Sequence, residues 1–123
     1  MTNTNYKTIA SKIKFEGRAF INGKYVDSID GQKFRTINPA TGEILCEVAK
    51  CNSKDVDLAV KVSREAFDSG VWSRTSPEFR KDILLKFAEL LRKHGIENSV
   101  LECIDTGKLI GDCINEVAND APM

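Results

Sequence analysis

The spacing of apolar residues changes at Ser53, and this change divides the chain into two kinds of secondary structure. Before Ser53, apolar and polar residues alternate, as in residues 34–37, which is typical of half-buried strands. After it, apolar residues recur every three or four positions, which is typical of amphipathic helices. The sequence therefore predicts antiparallel β-hairpins over residues 18–50 and three to four amphipathic helices over residues 53–121. A flexible lead-in, rich in Thr, Asn and Lys, is predicted for residues 1–17.

Glycines and short polar residues predict where these elements turn and end. Asn22-Gly23 favours a tight hairpin turn, because both positions accept a positive φ. Ser53 is the predicted cap of the first helix, and Ser76-Pro77 opens the second. A fourth helix is predicted from about Asp112. Three glycines are predicted to end the first three helices: Gly70, Gly95 and Gly107.

Charge and composition exclude several classes of function. The chain has 18 basic and 18 acidic residues, so its net charge is zero. A protein that binds nucleic acid or an anionic membrane usually shows a basic excess, so neither partner is expected. The first nineteen residues lack the apolar core of a signal peptide, and no stretch approaches the roughly 20 apolar residues of a membrane helix. We therefore expect a cytoplasmic protein.

The four cysteines do not predict a metal or redox site. Cys46, Cys51, Cys103 and Cys113 include no short Cys-x-x-Cys pair, and His94 is the single histidine. Zinc sites need such spacings, so a small cysteine-rich metal protein is the weakest of the readings considered. Free cysteines are commonly buried, and we interpret all four as small apolar filler.

The usual catalytic arrangements are missing from this sequence. Gly107-x-x-x-Gly111 is too sparse for a dinucleotide-binding loop, and no strand is predicted before it. One histidine on a helical stripe cannot build a Ser–His–Asp triad. The residue that needs an explanation is Asp105, because an acid at the C-terminal end of a helix opposes the helix dipole. A nearby cation or a backbone donor would supply one.

A set of short motifs, each weak alone, occurs in a specific order. Together they resemble the N-terminal segment of the NAD(P)-dependent aldehyde dehydrogenase family, over Phe20 to Pro122. Residues 70–107 most resemble members that act on amino-aldehydes such as γ-glutamyl-aminobutyraldehyde. The motifs are Phe20-Ile21-Asn22-Gly23-Lys24, Asn38-Pro39-Ala40-Thr41-Gly42-Glu43, Asp55-Val56-Asp57-x-Ala59-Val60, Ala66-Phe67, Trp72, Arg80, Leu90-Leu91 and Asp105-Thr106-Gly107-Lys108.

The resemblance implies an α/β fold with a dinucleotide-binding domain, a catalytic domain and an oligomerisation arm. A complete subunit of this family oxidises an aldehyde to a carboxylic acid. A cysteine thiolate attacks the carbonyl, hydride passes to NAD or NADP, and a glutamate activates water. All of these residues lie downstream of the segment that the chain resembles. We therefore assign no catalytic and no cofactor-binding residue to this chain, and we expect it to bind no nucleotide alone.

One site of the family does fall within these residues. Many members bind a structural monovalent cation, Na⁺ or K⁺, through backbone oxygens before the Asn-Pro turn and through the aspartate of the Asp-x-Gly-Lys motif. By position these are Thr36, Ile37 and Asp105. Oxygen ligands suit a hard cation, and such an ion would explain Asp105. The family's remaining ligand lies downstream, so weak binding is expected. Leu109 departs from the pattern, because members usually have proline there.

Two hypotheses about function follow. The first is a truncated aldehyde dehydrogenase that is inactive alone, because its nucleophile, general base and cofactor site are absent. The second is a non-catalytic binding or assembly module that packs on itself or on full-length subunits. In both cases the helices would leave apolar surface bare, because a helix with an apolar stripe needs another element to bury it.

Overall fold

The computed structural model describes residues 4–120. Their helices and strands are grouped in two compact units that interleave along the chain. The first unit contains residues 4–15, 37–45 and 82–120, and the second contains residues 16–36 and 46–81. The predicted Asp120-Pro122 helix start and the end of the 53–121 helical region lie partly outside the described residues. The described residues include no helix that is long and apolar enough to cross a membrane.

A short helix lies in the lead-in, where the sequence analysis placed no element. Helix α1 spans Tyr6–Ala10. The Asn5 side chain accepts a hydrogen bond from the backbone N–H of Thr8, at 3.1 Å. Asparagine is among the preferred caps, and it satisfies a donor that the first turn would leave unbonded. A single capped turn has no apolar period to detect, which is why the sequence analysis missed it.

The β-half consists of two hairpins, as predicted. Strands β1 (Ala19–Ile21) and β2 (Lys24–Val26) pair antiparallel, with Phe20 opposite Tyr25. The connecting residues Asn22 and Gly23 have φ angles of 52° and 74°, which confirms the predicted turn.

The second hairpin follows at once. Strands β3 (Lys33–Ile37) and β4 (Ile44–Ala49) pair with each other. In the turn, the Asn38 N–H donates to the Glu43 carbonyl at 2.9 Å, and the Gly42 N–H donates to the Asn38 carbonyl at 2.8 Å. Gly17 runs close beside β4, where its carbonyl accepts from the Ala49 N–H at 2.7 Å.

Helix α2 spans Ser53–Ser69, but its cap differs from the prediction. Ser53 is the first helical residue, and Asn52 is the cap. The Asn52 side chain accepts from the Lys54 N–H, while the Asp55 carboxylate accepts from the Asn52 N–H, each at 2.8 Å. This reciprocal pair is a capping box. Gly70 ends the helix with φ 80°, as predicted.

Helix α3 spans Pro77–Lys93 and begins as predicted, with the Ser76 hydroxyl accepting from the Phe79 N–H at 3.2 Å. It ends at Lys93, two residues before the predicted end, but the role predicted for Gly95 as the residue that ends it is wrong. Gly95 instead opens helix α4 (Gly95–Thr106), and His94 is the residue before it. Gly95 is buried, and a Cβ built on it would lie 2.7 Å from the Cβ of Ala118. Close packing, and not a left-handed turn, therefore explains this glycine.

Helix α4 ends at Gly107, with φ 77°, which confirms that prediction. Helix α5 (Ile110–Cys113) follows and continues into a π-helix, Ile114–Asp120. The predicted fourth helix is therefore present, but it starts two residues earlier and widens into a rarer geometry. Ile114, Val117 and Ala118 in the π-helix are half-buried.

The buried core of the described residues is small and lies around α4. Val100 is 2% exposed and Cys113 is fully buried. The buried Ser99 hydroxyl is 2.7 Å from the Gly95 carbonyl oxygen and 3.2 Å from the Cys113 carbonyl oxygen, and it joins α4 to α5. By contrast, α3 has no buried residue. Its apolar stripe is largely exposed, as the sequence predicts: Phe79, Ile83, Leu84, Phe87 and Leu90.

Candidate cation site

Two of the conspicuous motifs meet at the C-terminal end of α4. A Cβ built on Gly107 would lie 2.8 Å from Cγ of Pro39, so the Asn-Pro turn packs directly on the Gly107 backbone. Only glycine combines this close approach with the left-handed φ. The packing explains why the Asn-Pro turn and the Gly-Lys motif occur together in one sequence, although they are 68 positions apart.

The three predicted cation ligands lie at the ends of their elements. Thr36 and Ile37 are the last two residues of β3, and Asp105 is in the last turn of α4. The structure places Ile37 and Asp105 in the same unit, with the Pro39–Gly107 packing between their segments. Thr36 belongs to the other unit. The predicted ligands would all be oxygens, which suit Na⁺ or K⁺. Binding itself stays a prediction.

Side chains alone offer no alternative metal centre in residues 4–120. Within that range no three His, Cys, Asp or Glu side chains are clustered closely enough to hold a metal ion. The four cysteines are free thiols, and their environments differ.

The interpretation of every cysteine as buried filler is right for Cys113 only. Cys51 is exposed, and Cys46 and Cys103 are half-buried. Burial raises the pKa of the Cys113 thiol, which is opposite to what a nucleophile needs. The Cys103 thiol lies 3.1 Å from the Lys108 carbonyl and donates to it.

Lys108 has a function in the fold that the sequence analysis missed. Its ammonium group lies 2.7 Å from a Glu116 carboxylate oxygen and 3.6 Å from one of Glu102. The hydrogen bond with Glu116 raises the pKa of Lys108 above its ordinary value. Lys108 thus links α4 to the π-helix. The sequence analysis gave Lys108 no partner, because residues six and eight positions away give no helical-pair signal.

The connection between β4 and α2 is not a phosphate-binding loop. Residues 50–52 lead from β4 to α2 and contain no glycine, so no phosphate loop forms there. In the first turn of α2, the Lys54 N–H donates to the Asn52 side chain, while the N–H of Asn52 itself donates to the Asp55 carboxylate. Asp55, which is 3% exposed, would also repel a phosphate.

Comparison with known proteins decides the family. The model of the aldehyde dehydrogenase family matches residues 25–121. The chain belongs to the aldehyde dehydrogenase family. This confirms the resemblance stated from the motifs and the fold class expected from it.

Individual relatives agree with this assignment. Aldehyde dehydrogenase 1 of Tanacetum cinerariifolium is 56% identical over 106 residues, which are 86% of this chain and 21% of that protein. The structure of γ-glutamyl-γ-aminobutyraldehyde dehydrogenase from Burkholderia cenocepacia superposes with a TM-score of 0.92 and 41% identity. That match covers 95% of this chain and 24% of the other. The amino-aldehyde resemblance is therefore supported by structure as well as by sequence.

A further relative has been solved with NAD⁺ bound. Indole-3-acetaldehyde dehydrogenase of P. syringae, whose structure contains NAD⁺, superposes with a TM-score of 0.86 and 42% identity. The chain covers 22% of it. The chain thus spans less than a quarter of each of these aldehyde dehydrogenases.

Proposed function

We propose that this chain is the N-terminal segment of an NAD(P)-dependent aldehyde dehydrogenase, an oxidoreductase that in complete form converts an aldehyde into its carboxylic acid. An amino-aldehyde is the proposed substrate class. The observation that carries the proposal is the superposition on γ-glutamyl-γ-aminobutyraldehyde dehydrogenase, which combines a TM-score of 0.92 with coverage of 24% of that chain. NAD or NADP is the proposed acceptor, bound by the polypeptide beyond this segment.

The segment alone is proposed to be inactive. This is supported by the buried thiol of Cys113, whose pKa is raised by burial, and by the Lys54 N–H at the start of α2, which already donates to the Asn52 side chain. The test is an NADH-forming assay on the purified chain, verified by mass, with aliphatic aldehydes and amino-aldehydes. No turnover above the buffer rate is expected. Turnover that co-purifies with the chain and scales with its concentration would refute the proposal.

The exposed helix stripes support a second candidate function, a non-catalytic assembly module that binds full-length aldehyde dehydrogenase subunits or itself. Large exposed apolar patches commonly mark interaction sites. Co-expression with a tagged full-length relative separates the two candidates. Stoichiometric co-purification, sensitive to changes in the stripes, favours the module. If the chain and the tagged subunit elute separately, the first candidate is favoured, a segment that functions only within its own subunit.

We also propose that Thr36, Ile37 and Asp105 contribute to a site for Na⁺ or K⁺, with weak affinity in this segment. The test compares thermal unfolding in KCl, NaCl and choline chloride at equal ionic strength. A stabilisation by K⁺ or Na⁺ that Asp105→Asn abolishes supports the site. Equal midpoints of thermal unfolding in all three salts would contradict the cation site. We also propose a cytoplasmic location, which the salt comparison does not test.

A further inference from the structure

A cavity lies where the short helix α1 contacts helix α4. The two helices belong to the same compact unit. The cavity has a volume of about 360 Å³, which is within the range of small-molecule binding sites. Its lining comes from α1, from the residues directly after α1 and from α4. The lead-in, to which the sequence analysis gave no function, therefore forms one wall of a cavity.

Three aliphatic side chains supply the apolar part of the lining. Ile9 and Ile13 are four positions apart, and Leu101 lies in α4. After α1 the chain continues in a turn, in which the Lys12 N–H donates to the Ile9 carbonyl at 2.9 Å. The Ile13 N–H donates to the Ala10 carbonyl at 3.3 Å. An alkyl chain lying against these half-buried and exposed side chains would remove apolar surface from water.

The segment after α1 also brings two ammonium groups to the cavity, those of Lys12 and Lys14. Within residues 4–120 neither of them forms an ion pair, whereas Lys108 is paired with two glutamates. Two unpaired ammonium groups at one cavity favour an anionic ligand group. A carboxylate fits this requirement, because its two oxygens can accept hydrogen bonds from both lysines.

Helix α4 supplies the opposite charge to the same cavity. Glu97 lies in the first turn of α4, and its Oε2 atom is 3.1 Å from Nδ1 of His94. The next residue, Asn98, is half-buried, and its side-chain amide makes no hydrogen bond within the described part of the chain. A ligand ammonium has three N–H donors, which is enough for the Glu97 carboxylate and the Asn98 amide oxygen together.

We propose that this cavity binds an ω-amino carboxylate, a molecule with an ammonium and a carboxylate at opposite ends of a short alkyl chain. A simple carboxylate would leave Glu97 without a ligand partner, and a simple amine would leave both lysines without one. Oxidation of an amino-aldehyde gives this class of product. The inference therefore rests on the proposed function and assigns a product-binding site to this segment.

NMR of the isolated chain tests the binding, with 6-aminohexanoate as the probe. A nuclear Overhauser contact between the methyl groups of Ile13 and Leu101 first shows that the cavity forms. We then expect saturable shifts of these methyl signals and of the Asn98 side-chain amide. Exposed ion pairs contribute little, so the expected dissociation constant is on the order of 1 mM. Hexanoate and hexylamine each carry only one of the charges and should bind at least about threefold more weakly.

Charge variants assign the two ends of the ligand. Lys12→Gln combined with Lys14→Gln should weaken 6-aminohexanoate about fivefold, because two exposed ion pairs are lost. Lys7→Gln, on α1 but outside the cavity lining, is the matched control and should change nothing. Glu97→Gln should remove the preference for 6-aminohexanoate over hexanoate, and Glu89→Gln in α3 should keep it. All five positions are exposed, so the variants should retain the fold.

Three results would overturn the inference. Absence of the contact between Ile13 and Leu101 would show that the cavity does not form in solution. Absence of saturable shifts at ten times the expected dissociation constant would show that it binds no ω-amino carboxylate. Equal affinity for 6-aminohexanoate and hexanoate, unchanged by Glu97→Gln, would show a site for simple anions. These readouts measure binding and not turnover, so each of these results would leave the proposed function intact.

The proposed function can also fail alone. A complete subunit that contains this segment and does not oxidise amino-aldehydes would remove the proposed substrate class. Binding of 6-aminohexanoate with the expected charge dependence would still establish the cavity as an ω-amino carboxylate site.

Discussion

At the residue scale, close backbone approach accounts for positions that the sequence pattern alone does not explain. Gly17 is not in a turn motif, yet a Cβ built on it would lie 2.0 Å from the Glu47 carbonyl oxygen. Gly95 and Gly107 are similarly constrained by Ala118 and Pro39. Sequence reasoning treated the last two as helix ends, which is right for Gly107. It had no signal for Gly17, because strand contacts between distant residues leave no local pattern.

The first prediction concerns Gly17→Ala. Over-packing of this kind costs about 1–3 kcal/mol, so the segment should move away from β4. The Ala49 amide, which donates to the Gly17 carbonyl at 2.7 Å, should then lose its protection from hydrogen exchange. Gly111→Ala is the control, because nothing lies within 4 Å of its added Cβ. Unchanged protection of the Ala49 amide in Gly17→Ala would show that the close approach is absent.

The second prediction concerns the titration of Glu16. Its carboxylate accepts from Arg18 Nη2 at 2.6 Å, from Arg18 Nε at 2.8 Å and from the Arg18 backbone N–H at 3.1 Å. The side-chain hydrogen bond with Arg18 lowers the pKa of Glu16 from 4.5 to about 2. Because the folded pKa is depressed, the interaction stabilises the fold above pH 4.5, and this contribution is lost as pH falls toward 2. The pair is exposed, so salt should weaken it.

Carbon-detected NMR titration of the Glu16 carboxyl tests this directly. A midpoint near the lowered pKa is expected for the unmodified chain, and Arg18→Gln should return the midpoint toward 4.5. A midpoint near 4.5 in the unmodified chain would show that the ion pair does not form in solution.

At the element scale, the sequence located the helices and strands well and their first residues less well. Asn52 and Ser53 are both good caps, and local preference cannot choose between them. The choice is tertiary, because Asp55 also accepts from the Ile29 N–H at 2.8 Å and so ties α2 to the loop after β2. Gly95 was misread for the same kind of reason, since its contact with Ala118 is 23 positions away in sequence.

The third prediction concerns Asp55→Asn. An amide oxygen can accept from only one of the two N–H groups that Asp55 now satisfies, and a hydrogen bond to a charged group contributes about 1.5–3 kcal/mol. The Ile29 amide should exchange faster, and far-ultraviolet circular dichroism should show lower helix content. Asp57→Asn, an exposed neighbour in the same helix, is the control. The role given to Asp55 is wrong if both variants behave alike.

At the scale of the whole molecule, the described residues form secondary structure without a large core. Two apolar residues are buried, while α2 and α3 carry exposed stripes. The motifs predicted the family from sequence alone. Each motif is unspecific by itself, but their order and spacing along the chain are specific. The cation site itself stays a prediction. Its surroundings could not be predicted, since the packing of Pro39 on Gly107 and the links from Lys108 join segments far apart in sequence.

The measurement that tests the central claim most directly is aldehyde-dependent NADH formation. It compares the isolated chain with a chimera in which this chain replaces the matching segment of the γ-glutamyl-γ-aminobutyraldehyde dehydrogenase from Burkholderia cenocepacia. The account predicts no turnover by the isolated chain. It predicts turnover by the chimera within about tenfold of the host enzyme. A tenfold loss corresponds to about 1.36 kcal/mol of transition-state stabilisation. Turnover by the isolated chain, or a soluble chimera without activity, would contradict the account.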